Sequence, residues 1–221
     1  LNKKGSVYLR IPDHIGIIPD GNRRWAQNQG LKKEEGYQHG LAPGLELLRQ
    51  AKSYGIKEIT YYGFTVDNCK RPKLQQEAFR KACVDAVRMI SAEGTSLLIV
   101  GNTNSECFPE ELLPYTRRTD VNGGGIKVNF LVNYGWAWDL SNINSSQASE
   151  ETIMNQIHSK DISRIELIIR WGNTRRLSGF LPVQSVYADF FLVNEMWPAF
   201  SASHLEQALE WYSKQDITLG G

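Results

Sequence analysis

The chain has 221 residues, 25 Lys and Arg against 24 Asp and Glu (a formal charge of +1), and 41% hydrophobic residues. This describes a single globular domain, residues 1–221, with enough apolar residues for a sizeable core. A near-neutral chain argues against nucleic acid as a partner, so an anionic ligand must be held by a local cluster of cations. No apolar run approaches the ~18 residues of a transmembrane segment.

The start, Leu1 to Gly5, lacks the apolar stretch of a secretory signal. The first β-rich run is His14 to Ile18; Lys57 to Phe64, Ser96 to Val100, Ile126 to Val132 and Arg164 to Ile169 follow. Runs that are apolar at nearly every position suit strands covered on both faces. Between them, Leu41, Leu45, Leu48 and Ala51 recur at helical spacing, with Gly55 placed to stop the helix. Phe79, Ala82, Cys83, Ala86, Val87 and Ile90 form a second apolar stripe, on a helix over about Gln75–Ile90. Ser203 to Glu206 fits a capping box that opens a last helix. The Ser- and Asn-rich stretch Ser141–Glu151 and the Gly123–Gly125 cluster read as surface loops. Strand–helix alternation predicts an α/β fold with a central, mostly parallel sheet flanked by helices. Cys69, Cys83 and Cys107 are odd in number and scattered. They fit neither metal spacing nor a disulfide framework, so a reducing cytoplasm is the expected location.

Ligands in such folds bind beyond the C-terminal strand ends. After the first run comes Pro19-Asp20-Gly21-Asn22-Arg23-Arg24-Trp25, leading into a helix. Glycine permits close backbone approach, the free N–H groups of a helix start suit phosphate, and arginines add bidentate bonds. An acid among such groups makes sense if it holds a metal ion that the phosphate also touches. A plain Asp–Gly turn before a solvated basic helix fits the same pattern. After the second run, Thr65, Asp67, Asn68, Cys69 and Arg71 again offer hydroxyl, carboxylate, amide and guanidinium, or simply a polar turn capping the next helix. After the last run, Arg170, Trp171, Arg175, Arg176, Leu177 and Ser178 suggest a second anion pocket, or surface arginines paired with acids. Asp189 is a lone acid in an aromatic run, costly to bury unless paired or metal-bound.

HIGIIPDGNRRWA (His14 to Ala26) and RRLSGFLPVQSVYADFF (Arg175 to Phe191), with Met196-Trp197-Pro198, Asn133-Tyr134-Gly135 and Asn68-x-x-Arg71-Pro72 in order, resemble the cis-prenyltransferases, the undecaprenyl diphosphate synthase family. The resemblance implies a hydrophobic tunnel beside the sheet, a homodimer, and Mg²⁺-dependent condensation of an allylic diphosphate (dimethylallyl, geranyl or farnesyl) with isopentenyl diphosphate. It implies that Asp20 holds Mg²⁺ and that Gly21, Asn22, Arg23 and Arg24 cradle the allylic diphosphate, with Trp25 packed close by. It implies that Arg170, Arg176 and Ser178 clamp the second diphosphate. Asp189 matches the family's second metal-associated acid, Asn68 an asparagine of the proton-removal step, and Thr65 a frequent serine.

The departures from the family pattern concern the chemistry. Trp171 replaces a small hydroxyl residue beside the second diphosphate, and Trp136-Ala137 loses an arginine. Tyr37 stands for a histidine near the allylic diphosphate, Lys33 for an arginine, and Cys69 for a tryptophan near the substrates. Ile217 to Gly221 replaces a basic C-terminal motif that can reach a partner subunit's site. Three readings follow. One is a prenyltransferase with a short or irregular, head-to-middle product. Another is a terpene synthase that ionises one allylic diphosphate, with Trp136 and Trp171 stabilising the cation. The third is a non-catalytic partner subunit.

Overall fold

The computed structural model describes residues 10–144, 146 and 149–216. The strands are β1 (His14–Ile18), β2 (Glu58–Thr65), β3 (Thr95–Val100), β4 (Thr119–Val121), β5 (Ile126–Tyr134), β6 (Leu167–Arg170) and β7 (Asp189–Leu192). The helices are α1 (Asn22–Asn28), α2 (Gly36–His39), α3 (Leu41–Tyr54), α4 (Lys73–Ser91), α5 (Trp136–Asp139), α6 (Glu150–Gln156) and α7 (Ala202–Ser213). The strands form one seven-stranded sheet in the order β4-β3-β5-β2-β1-β6-β7, parallel throughout except for the β3–β4 pair. This is the α/β architecture that the alternating pattern implies.

The period-two geometry of strands sorts the core into two layers. Ile15, Ile17, Ile59, Tyr61, Leu97, Ile99, Val128 and Phe130 pack with Leu47, Leu48 and Ala51 of α3, Val84, Val87 and Ile90 of α4, and Leu205 and Leu209 of α7. Ile18, Tyr62, Leu98, Leu131 and Ile168 face the other way, against Ile162, Ile165, Phe180 and Leu181 from loops. Gly55 ends α3 at φ 79°, the left-handed stop that only glycine adopts freely.

Several expectations shift. Two edge strands, β4 and β7, are not among the expected runs: one has three residues, and the other lies within an aromatic run that lacks alternation. The cap of α7 is Ser201, whose hydroxyl accepts from Ser203 N–H while His204 Nδ1 accepts from Ser201 N–H. The end of the Ser- and Asn-rich stretch opens α6, capped by Ser149. Cys69 and Cys107 are paired as a disulfide across the space between the β2 and β3 ends, against the expectation of none, while Cys83 is free and buried. Leu1 to Gly5 and Ile217 to Gly221 lie outside the described residues. Among the described residues no helix is long and apolar enough to cross a membrane.

Candidate active site

Register brings the arginine and acid segments together. Ile18, the last residue of β1, pairs with Arg170, the last of β6, so the turns that follow both strands lie side by side. Two glycines make the close approach possible. Gly21 sits at φ 105°, and a Cβ there would lie 2.8 Å from Met196 Cβ; Gly172 sits at φ 84°, and a Cβ would lie 2.6 Å from an Arg24 nitrogen. The first turn is braced from both sides: Asn22 Nδ2 donates to Pro19 O (3.0 Å), and Trp197 N–H donates to Asp20 O (2.9 Å).

Asp20 is the electrostatic centre. Arg170, only 3% exposed, donates to its Oδ2 at 2.8 Å, and an Arg24 nitrogen lies 3.5 Å from Oδ1. Arg170 also donates to Ser178 Oγ (3.0 Å) and to the Arg176 carbonyl, while Arg24 donates to Gly172 O (3.0 Å). Partial burial pushes the Asp20 carboxyl up, but the Arg170 hydrogen bond and charge, with Arg24, outweigh it and hold the carboxyl below its ordinary value. Asp20 is therefore ionised at neutral pH. A carboxyl lowered on folding stabilises the protein fully above its unfolded value of 3.8, and loses that contribution as the pH falls through the folded value. The stability difference between wild type and Asp20→Asn is therefore expected to be constant near neutral pH and to shrink below 3.8 in urea titrations. A difference independent of pH throughout would contradict the pairing.

These groups open onto a polar cavity of about 700 Å³, which Gly21, Asn22, Arg23, Arg24 and Lys33 line from the β1 side. From the β2 side come Thr65, Asp67, Asn68 and Arg71, and from the β6 side Arg176 and Ser178. Asn68 is buried, and its Oδ1 accepts Thr65 N–H at 2.9 Å. Asp67 is exposed and paired with Lys70 (2.7 Å). Tyr37 stacks on Phe79 (centroids 4.5 Å apart, 5°), and its hydroxyl accepts from Arg71 at 2.9 Å. Tyr62 and Phe79 also line the cavity, although each read as core: one sits in a strand run and the other on a helical stripe, and neither position alone signals a ligand. Next to this cavity, and sharing Asn22, Tyr37, Gly63 and Phe79 with it, is an apolar pocket of about 70 Å³. Tyr61, Phe130, Leu41 and Trp197 line it, so aromatic side chains narrow the apolar space between the sheet and α3.

Five expected site residues fall elsewhere. Arg170 turns to Asp20, so its strand neighbour Trp171 points to the opposite side. Trp171 is fully buried against Trp197, 4.8 Å between centroids, and donates to His204 Nδ1 at 3.3 Å. Trp25 leaves the cavity along α1 and packs on His39 at 4.7 Å. Leu177 is exposed between the two cavity residues Arg176 and Ser178. Cys69 does not line the cavity and is bonded to Cys107. Asp189 pairs in register with Leu167 and so lies level with Ile15, at the opposite sheet end from Asp20, with an Arg10 nitrogen 3.8 Å away. Asp20 and Asp189 therefore do not share a metal site within one chain. Among the described residues no three His, Cys, Asp or Glu side chains are grouped to hold a metal ion. Trp136 is 54% exposed and also lies outside the cavity lining.

A family model described as undecaprenyl diphosphate synthase matches residues 18–220. An isoprenyl transferase of Thermotoga maritima is 30% identical over 236 residues, covering 96% of this chain and 98% of that protein. A ditrans,polycis-undecaprenyl-diphosphate synthase, (2E,6E)-farnesyl-diphosphate specific, of Yersinia pseudotuberculosis is 28% identical over 238 residues, covering 99% of this chain and 94% of that protein. Among solved structures, lavandulyl diphosphate synthase from Lavandula x intermedia, in complex with dimethylallyl diphosphate, superposes with a TM-score of 0.84 at 22% identity, covering 96% of this chain and 99% of that one. The chain belongs to the undecaprenyl diphosphate synthase family of cis-prenyltransferases. It is accordingly a prenyltransferase that acts on diphosphate esters.

Proposed function

We propose that this chain joins a C5 allylic diphosphate to a second C5 isoprenyl diphosphate in a Mg²⁺-dependent reaction and releases a short isoprenoid. The carrying observation is the contrast between two adjoining spaces: a cation-lined cavity of about 700 Å³ and an apolar pocket of only about 70 Å³. At about a tenth of the cavity's volume, the pocket has room for a short prenyl tail. That suits a dimethylallyl tail. The lavandulyl diphosphate synthase with dimethylallyl diphosphate bound supports the same scale.

The donor set fits Mg²⁺ brought in by substrate. Mg²⁺ is usually held by one or two carboxylates completed by substrate phosphates. Asp20 is one ionised carboxylate in a cavity lined by Arg23, Arg24 and Arg71. Bound at Asp20, Mg²⁺ would supply charge neutralisation for the departing diphosphate. Arg23, Arg24 and Asn22, with the open backbone at Gly21, cradle the allylic diphosphate and stabilise the charge that gathers on it as its C–O bond lengthens. Tyr37 and Arg71, tied together, hold the mouth of the apolar pocket. Arg170, Arg176 and Ser178 orient the second diphosphate, fixing its double bond toward the allylic carbon. Asn68 lines the cavity and is fixed there by the Thr65 N–H that its Oδ1 accepts, so it assists the proton-removal step by orientation. Thr65, Lys33 and Asp67 complete the rim.

The cyclising alternative leans on Trp136 and Trp171, and both lie outside the cavity lining. A homodimer in the cytoplasm belongs to the proposal: Trp136, Val186 and Tyr187 are exposed and a second copy would cover them. Sedimentation at a monomer mass would remove that part.

The test is incubation of the protein and Mg²⁺ with C5, C10 or C15 allylic diphosphates, with and without isopentenyl diphosphate, followed by mass spectrometry. Overpacking a formed pocket costs about 1–3 kcal/mol, so geranyl and farnesyl diphosphates are expected to react with kcat/KM about 5- to 150-fold below that of dimethylallyl diphosphate. Long-chain products from farnesyl diphosphate would refute the size limit.

A further inference from the structure

We propose that Cys69 and Cys107 are a reversible dithiol–disulfide pair that controls the turn carrying Asn68. The two Cα atoms lie 6.2 Å apart, within the range that a disulfide spans, although the residues are 38 positions apart. Cys69 belongs to the 3-10 turn Val66–Lys70, which supplies Asp67 and Asn68 to the cavity. Cys107 belongs to the segment that follows β3. Both are half-buried and within reach of a small reagent, whereas Cys83 is buried, and burial pushes its thiol up to about 12. Reduction does not leave Cys69 stranded: Asn133 Oδ1 lies 3.3 Å from its sulfur and can accept from the thiol. The turn therefore has a partner in either state, and only the cross-link ties it to the far segment.

Oxidation proceeds by exchange with a low-molecular-weight disulfide. The Cys69 thiolate attacks one sulfur and expels a thiolate. The Cys107 thiolate then attacks the mixed disulfide at Cys69 and expels the second. Two protein thiols lose two electrons and two protons, and the reagent disulfide gains them as two thiols. The cross-link restricts a turn whose backbone hydrogen bond aims the Asn68 amide, so the oxidised form is the faster enzyme and reduction loosens the turn. The effect on turnover rests on the condensation reading; the pairing and its effect on the turn rest on geometry alone.

The test compares protein treated with oxidised glutathione and with excess dithiothreitol, using differential alkylation, amide hydrogen exchange and kinetics with C5 diphosphates. Alkylation at Cys69 and Cys107 is expected only after reduction, with Cys83 unlabelled in both. Amides in 66–70 should then exchange at least about fivefold faster, and kcat/KM should fall at least about threefold and recover on reoxidation. The double variant Cys69→Ser/Cys107→Ser, which has no thiol there to form a mixed disulfide with glutathione, should hold the reduced-state values under both treatments, and should that variant fail to fold, the wild-type cycle decides by itself. Free Cys69 and Cys107 after oxidised glutathione, or a formed cross-link that leaves exchange in 66–70 unchanged, would overturn the proposal. If neither redox state yields a prenyl product, the condensation reading falls, and exchange in 66–70 still decides the pair.

Discussion

Asp20→Asn is expected to lower kcat by at least about 10³-fold while the protein still folds. Asparagine keeps the volume of the side chain and one oxygen for Arg170, whose side chain is 4% exposed and needs an acceptor at that position. What it removes is the negative charge, and with it the carboxylate proposed to hold a divalent ion; Asp67, which also lines the cavity, is paired with Lys70. Asp20→Ala is a poorer probe. It would leave the Arg170 guanidinium without its carboxylate, mixing a folding defect into the kinetic one. Diphosphate release measures kcat, and a thermal melt checks the fold. A variant within tenfold of the wild-type rate and with the wild-type requirement for Mg²⁺ would show that Asp20 is not the metal acid.

The parts legible in the sequence were those written in contiguous residues. The run His14–Ile18 and the turn Pro19–Arg24 stand next to each other in the chain, and a strand feeding a glycine and two arginines at a helix start admits few arrangements. The stripe on α4 and the stop at Gly55 were readable for the same reason, since helix period and left-handed φ are local properties. What failed depended on which face or which strand end a residue occupies. Trp171 follows Arg170 directly, yet pleating sends the two side chains to opposite sides. Asp189 lies in a segment that matches the family signature, but the β6–β7 register puts it level with Ile15, at the opposite end of the strands from Asp20. The Cys69–Cys107 pair depends on how far the segment after β3 folds back toward the turn after β2, which no local pattern encodes.

Trp171→Ala should be the most destabilising single change near the site, and it should act on the fold and not on substrate affinity. The indole is fully buried, packs edge-on against Trp197 and near Phe200, and donates its only N–H to His204 Nδ1. Truncating such a side chain costs about 3–5 kcal/mol, which for a chain of this size lowers Tm by about 6–20 °C. Threonine, the residue expected from the family pattern, is too small to fill the same space, so Trp171→Thr should also lower Tm and should not improve the use of isopentenyl diphosphate. Below the melting range, KM for the C5 substrates is expected to stay within about threefold of wild type, because Trp171 borders neither cavity. Trp197 ties the two effects together: it lines the apolar pocket, and its Nε1 donates to Gly40 O at 2.8 Å. A small loss of tail selectivity, through a loosened Trp197, is consistent with this packing. A Tm within about 2 °C of wild type together with a lowered KM for isopentenyl diphosphate would instead place the indole in the second diphosphate pocket and contradict the β1–β6 register.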